Sequence, residues 1–307
     1  MLKHVLIAAV STIFLFKSGF FVFVVPVPVF YIFAVHGRKA GRLTAAIVVA
    51  AAVLGTAFGL LTQQELAYFG YLFLIGLILG EGLVRRLAIM PMASAAIFIP
   101  WIMASGFFLA GQFGFNMPLI SNLRAYFADT LNFVLDKQAA TISNAQLAYI
   151  RDNAAQIVDF IVGITPSTLM IFGMLVVSLA TLLTRSLSKK YGSFKYLGNV
   201  AMQRFPFWSV WVTIACGVAY FSDAYYTHNI YIKFTAINGL LICAGLYFVQ
   251  GCFVISFWLY KGRSPFLRFL VYGIIVVFLQ VVGFMIVALG LSDQWLDFRK
   301  RHNTTAA

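Results

Sequence analysis

Residues 160–183, FIVGITPSTLMIFGMLVVSLATLL, run for twenty-four positions without a charge. As a helix this stretch is about 36 Å long at about 1.5 Å per residue, more than the roughly 30 Å of hydrocarbon in a bilayer. Working outward, comparable runs occupy 43–61, 66–84, 87–110, 234–260 and 266–291, with a shorter one at 207–221. Pro91 and Pro100 are expected to kink the 87–110 run. The pattern predicts an all-α polytopic membrane bundle of about eight crossings, seven to nine, in which lipid replaces water around most of the chain.

Composition agrees. Charged residues make up 10% of the 307, against about 25% in soluble domains, and 62% are hydrophobic, with mean hydropathy +0.93. The net charge of +13 comes from cations that flank apolar runs, as the positive-inside rule requires, so nucleic acid is not an expected partner. Cys216, Cys243 and Cys252 fall inside apolar runs, and His4, His36, His228 and His302 are scattered, so no metal site and no cofactor is expected. GxSxG, HExxH, Walker A and strand-to-helix GxGxxG motifs are missing, and the chain is not expected to be an enzyme.

The organisation reads as one membrane domain over 1–307: N-terminal helices in 1–110, an insert at 111–159, C-terminal helices in 160–291 and a polar tail at 292–307. Residues 1–16 carry Lys3 and His4 before an apolar stretch but lack an A-x-A-like cleavage site, so an uncleaved membrane segment is expected. Residues 5–35 form either a tight hairpin or one long broken crossing, because Pro26 and Pro28 interrupt regular helix. In the insert, Leu123, Phe127, Leu131 and Val134, then Leu147, Ile150, Ala154, Ile157 and Ile161, recur at helical spacing. This predicts two amphipathic helices, read as a connecting hairpin or as a lid or partner surface.

Thirteen Lys and Arg residues fall in the regions 36–42, 85–86, 185–204 and 261–268, which alternate onto one face, and seven fall on the other. The cationic face is expected in the cytoplasm, with the insert outside. The tail Asp297-Phe298-Arg299-Lys300-Arg301-His302 conflicts, being cytoplasmic by charge and external by parity.

Polar groups within the apolar runs are the candidate sites. Glu81, one of two glutamates, either pairs with Arg85 one helical turn on or serves a ligand or proton. Gly76 and Gly80, like Gly55 and Gly59, suit close helix packing, within the chain or between copies. Pro26 and Pro28 would free carbonyls at membrane depth, marking a solute site or a plain re-entrant turn. Asn238, Gln250 and Gln280 either bridge helices or converge with Tyr247 on a polar pocket. Asp223, beside Tyr220, Tyr225 and Tyr226, reads as an interfacial loop residue.

Several short motifs, taken in order, resemble the YybS-like bacterial membrane proteins, a family of unknown function. They are Pro26-Val27-Pro28 with the Gly37-Arg38…Gly41 turn, Gly80-Glu81-Gly82…Arg85, Gln250-Gly251, and Leu289-Gly290-Leu291-Ser292-Asp293…Asp297-Phe298-Arg299-Lys300. The first half of that family is similar to the substrate-binding membrane subunits of energy-coupling-factor transporters and to MreD. The resemblance implies a multi-pass protein of the bacterial inner membrane and carries over no substrate or catalytic residue. The leading expectation is a small-solute-binding or transporter-like subunit with a pocket near Pro26, Pro28 and Glu81. The alternative is a non-transporting scaffold of an envelope-assembly complex. Expected partners are the bilayer, anionic lipids at the basic loops, above all 185–204, and a membrane protein or ATPase module, since no nucleotide site is present.

Overall fold

A computed structural model describes residues 1–113, 118–138, 143–192, 194, 202–261 and 265–299. Those residues form eleven helices and no strand: α1 Leu2–Lys17, α2 Pro26–Ala57, α3 Gln63–Val84, α4 Ile89–Phe113, α5 Leu119–Gln138, α6 Asn144–Asp152, α7 Ala154–Leu187, α8 Trp208–Ser222, α9 Ile230–Lys261, α10 Pro265–Val277 and α11 Leu279–Leu296. Among the described residues, six stretches are long and apolar enough to cross a membrane: Val22–Ala57, Gln64–Val84, Ile89–Phe108, Ala154–Leu187, Ile230–Leu259 and Leu279–Leu296. The all-α membrane bundle is therefore as read from the sequence.

Residues 5–35 make the hairpin, not the long broken crossing. Lys17, at the end of α1, pairs with Glu65 in the first turn of α3 at 3.0 Å. At the other end His4 stacks on His36, with ring centroids 5.0 Å apart. The chain reverses through Gly19 (φ +67), where Ser18 Oγ donates to the Leu15 carbonyl and accepts from Phe21 N.

A second reversal divides α2. Gly37 has φ 78 and ψ −171, a conformation that glycine adopts without steric cost. In a straight helix Phe33 and Gly41 would stand about 12 Å apart along the axis. Instead the Phe33 ring lies against Gly41, and a Cβ there would fall 2.4 Å from it. The same ring packs on Gly80 of α3, where a Cβ would fall 2.3 Å away. The glycines at 41 and 80 thus let three backbone segments close around one aromatic ring. Phe30, Phe33, Leu72, Ile75, Met92 and Val176 belong to one buried core drawn from α2, α3, α4 and α7.

A full capping box starts α3: Thr62 Oγ1 accepts from Glu65 N, and the Glu65 carboxylate accepts from Thr62 N. Pro91 sits in the first turn of α4, where a proline does not kink, while Pro100 lies inside the helix.

The insert contains the two predicted helices, α5 and α6, but the second apolar stripe runs on into α7 after the break at Asn153. Arg124 on α5 reaches Asp159 on α7 at 2.8 Å, and Arg151 reaches Asp136 at 3.0 Å. On α5 it is Leu135, at 3% exposure, that is buried, while Val134 is 40% exposed. Leu123, Phe127 and Leu131 keep their half-buried places in the stripe, and only its last position moves, from Val134 to Leu135.

The expected single crossing at 266–291 is two helices. The chain breaks at Phe278 (φ −104, ψ 27) between α10 and α11. Helix α11 instead packs closely on α9: a Cβ on Gly290 would lie 1.9 Å from the Tyr247 carbonyl oxygen, and one on Gly251 2.1 Å from that of Ile286. Asp223, read as an interfacial loop residue, lies in the α8–α9 turn, where it is buried and closes the turn by accepting from Asn229 N at 2.6 Å and Thr227 Oγ1 at 3.2 Å.

Candidate functional site

Pro26 and Pro28 lie in the first turn of α2, where a missing N–H costs nothing because no intrahelical acceptor awaits it. The Val22 carbonyl is taken by Val25 N at 3.2 Å, and Pro26 packs directly on Gly76 of α3. The expectation that these prolines interrupt a regular helix is corrected: they begin one, and Phe30 and Phe33 in the turns that follow are buried.

Glu81 is held by three guanidinium groups. Arg42 Nε is 2.6 Å from one carboxylate oxygen, while Arg38 Nε is 3.1 Å and Arg85 Nε 3.7 Å from the other. The pairing with Arg85 one turn on exists but is the longest of the three. The reversal at Gly37 brings the other two partners from α2, a long-range approach that helical spacing could not reveal.

The amides do not converge. Asn238 and Gln250 are about 18 Å apart along α9. Asn238 reaches α7, where Pro166 interrupts the backbone ladder. Its Nδ2 donates to the Gly163 carbonyl at 2.8 Å and its Oδ1 accepts from Ser167 N at 2.9 Å. One side chain thereby replaces the turn of helix that the proline disrupts. Trp101 Nε1 donates to the Pro166 carbonyl at 2.8 Å and Tyr71 Oη to that of Leu169 at 3.0 Å, pinning the same kink. Tyr247 Oη lies 3.3 Å from Ser209 Oγ and 3.2 Å from Thr213 Oγ1 on α8. Gln280 is exposed in the first turn of α11 and joins none of these groups.

Gln250 belongs to a buried ionic centre that sequence reasoning missed. Its Nε2 donates to Asp293 Oδ2 at 3.0 Å, and its Oε1 accepts from Gln294 Nε2 at 2.9 Å and Phe205 N at 3.3 Å. Beyond α11 the chain turns through Asp297 in the left-handed conformation (φ 45, ψ 57). Phe298 N then donates to Asp293 Oδ1, and Arg299 doubles back to pair with Asp293 and to donate to the Gln203 carbonyl at 2.6 Å. Arg204 pairs with Asp297 and lies 3.8 Å from Asp293. Asp293 and Gln250 are 0% exposed and Arg299 is 2% exposed. Taking such a pair out of water is costly, and the bonds from Gln250 and Phe298 N to the acid and from Arg299 to the Gln203 carbonyl offset part of that cost. The available signal was the Asp293-Gln294 pair ahead of Trp295 and Leu296, which extends an apolar run through a charge.

Segment 203–205, held in this way, borders a cavity of about 100 Å³ between α4, α7 and α9. Met90 and Ile97 come from α4, Met174 and Val177 from α7, and Val249 and Phe253 from α9, with Gln203 and Phe205 at its edge. Ser94, Ser178 and Thr181 are also in its wall, and the Ser178 hydroxyl is spent on the Met174 carbonyl at 2.7 Å, so the lining is predominantly apolar. Ile89 and Leu182 border it too, so the start of the tail lies at the same end of the bundle as the Arg85–Arg86 turn. Most of the basic region 185–204 beyond Tyr191, and the tail from Lys300, lie outside the described residues.

No curated protein and no solved structure matches this chain. A family described as "Predicted membrane protein (DUF2232)" matches residues 5–294, nearly the whole length. The chain therefore belongs to the DUF2232 family of predicted membrane proteins.

Proposed function

We propose that this is a solute-binding subunit of the bacterial cytoplasmic membrane, taking the apolar part of a small amphipathic molecule into the cavity between α4, α7 and α9. One observation carries the reading: the cavity is apolar and is bordered by a segment, 203–205, that a buried ionic centre fixes in place. Its roughly 100 Å³ is somewhat less than the engineered cavity of about 150 Å³ that takes up benzene, so it suits a ring or a short stretch of chain. Phe98 and Leu182, both in the lining, are 44% and 59% exposed, giving lateral access from lipid. The chain acts without catalysis in this reading, and net transport draws on an ATPase partner or an ion gradient.

A diazirine-bearing palmitic acid tests this on the full-length protein in detergent. Crosslinks are expected to concentrate on the lining residues of α4, α7 and α9, and Ala93→Phe or Val177→Phe should suppress them. Labelling spread evenly over lipid-facing positions such as Trp211 and Val218 of α8 overturns the proposal.

The scaffold reading is supported by the insert, where Tyr126, Phe133 and Tyr149 are 64%, 63% and 70% exposed. It predicts that deleting 119–158 abolishes capture of a membrane-protein partner while cavity-filling variants leave capture intact.

A further inference from the structure

We propose that Arg38, Arg42 and Arg85 form a phosphate-binding site at the end of α3, with Glu81 as the template that gathers them. The site is separate from the cavity and does not rest on the solute-binding reading.

All three guanidinium groups approach Glu81 through Nε. No other hydrogen bond or ion pair engages these three side chains among the described residues. Each therefore keeps its Nη1/Nη2 fork open, the part of arginine that matches two phosphate oxygens at once. Glu81 is 18% exposed, whereas the arginine side chains are 43%, 57% and 61% exposed, so the carboxylate lies inside and the forks point outward. One carboxylate against three guanidinium groups leaves a surplus of two positive charges, and exposed Lys39 and Arg86 flank the group.

A bias of cations toward one membrane face explains neither the convergence nor the choice of arginine. Scattered lysines satisfy that rule equally well. Convergence of like charges costs energy unless an anion offsets it, and Glu81 offsets only one of three. The ligand chemistry that completes the site is a phosphate group, carried by an anionic lipid headgroup or by a free phosphate ester at the same face.

The test uses delipidated full-length protein in detergent and native mass spectrometry. Dioleoylphosphatidylglycerol is compared with dioleoylphosphatidylcholine, and glycerol 1-phosphate is titrated as the free-ester arm. Phosphatidylglycerol is expected to be retained preferentially. Arg38→Gln/Arg42→Gln should weaken that retention about tenfold or more, as two charge-assisted bonds imply. Lys189→Gln/Lys190→Gln removes the same charge at two exposed lysines elsewhere and should change retention less than about twofold. Binding of the lipid alone assigns a headgroup site; binding of glycerol 1-phosphate at the same arginines assigns a free-ester site. Equal loss in the two double variants, or no preference for either phosphate probe over phosphatidylcholine, overturns the proposal. A measurement on the unmutated protein guards against misfolding of the variants. Phosphatidylglycerol or glycerol 1-phosphate should slow phenylglyoxal labelling of Arg38, Arg42 and Arg85 while leaving Arg124 and Arg151 unprotected, and absence of that selective protection also overturns it.

Discussion

Glu81 and Asp293 both gather arginines, yet the two centres are built in opposite ways. Around Glu81 the acid is inside and three half-exposed arginines face outward, each using one nitrogen. Around Asp293 both the acid and its Arg299 partner are buried, and Gln250, Phe298 N and the Gln203 carbonyl take up remaining bonds. The first arrangement leaves donors for something outside the chain. The second is closed off inside the protein, joining α9, α11 and segment 203–205. Burial, rather than the residue types, separates a surface that can bind from a lock that holds.

The sharpest way to break that contrast is Asp293→Ala. Removing one member of a buried pair strands Arg299 without its acid and should cost about 3–5 kcal/mol. Thermal unfolding in detergent is expected to show a large loss, together with protease cleavage near residue 203 as the segment is released. A loss no greater than that of an exposed pair would show that Asp293 is not part of a lock.

Gly80→Val attacks the outer centre through its scaffold instead of its charges. The added side chain meets the Phe33 ring, and overpacking of this kind costs about 1–3 kcal/mol. Displacing Phe33 also separates the Arg38 end of α2 from α3. Phe33→Ala in the same chain should restore part of the loss, and failure of that rescue would place the strain elsewhere.

Asn238→Ala is the uncharged reference for both centres. It deletes the bridge across the Pro166 kink and leaves Gly163 O and Ser167 N without it, for an expected cost of about 1–2 kcal/mol. The effect should not change between low and high salt, because no ion takes part. A salt-dependent loss would mean that the amide acts through a charged neighbour.

The helices were legible because lipid demands long apolar runs, and residues 160–183 satisfy that demand on their own. The hairpin in 5–35 stayed open as one of two readings because it depends on the distant partners Glu65 for Lys17 and His36 for His4. The split at Phe278 carries no sequence mark: neither Gly nor Pro stands there, and the bend accompanies the close fit of Gly290 on α9. Glu81 was identifiable as an isolated carboxylate, but Arg38 and Arg42 lie 43 and 39 positions away and reach it only after the Gly37 reversal. Asp293 was hidden by its place near the end of an apolar run, where charges ordinarily mark the water boundary.

Glu81→Gln tests the outer centre at the smallest scale. The change keeps the shape of the side chain and removes its charge, so the arginines lose a partner but remain hydrated. Exposed pairs contribute about 0–1 kcal/mol, and the loss should fall within that range. Near 1 M salt the screening length is about 3 Å, and the difference between variant and parent should then disappear. Disappearance in salt for Glu81→Gln alongside persistence for Asp293→Ala is the outcome that the two burial patterns require. Persistence in both would mean that Glu81, at 18% exposure, is shielded by its arginines and that the outer centre is a second lock.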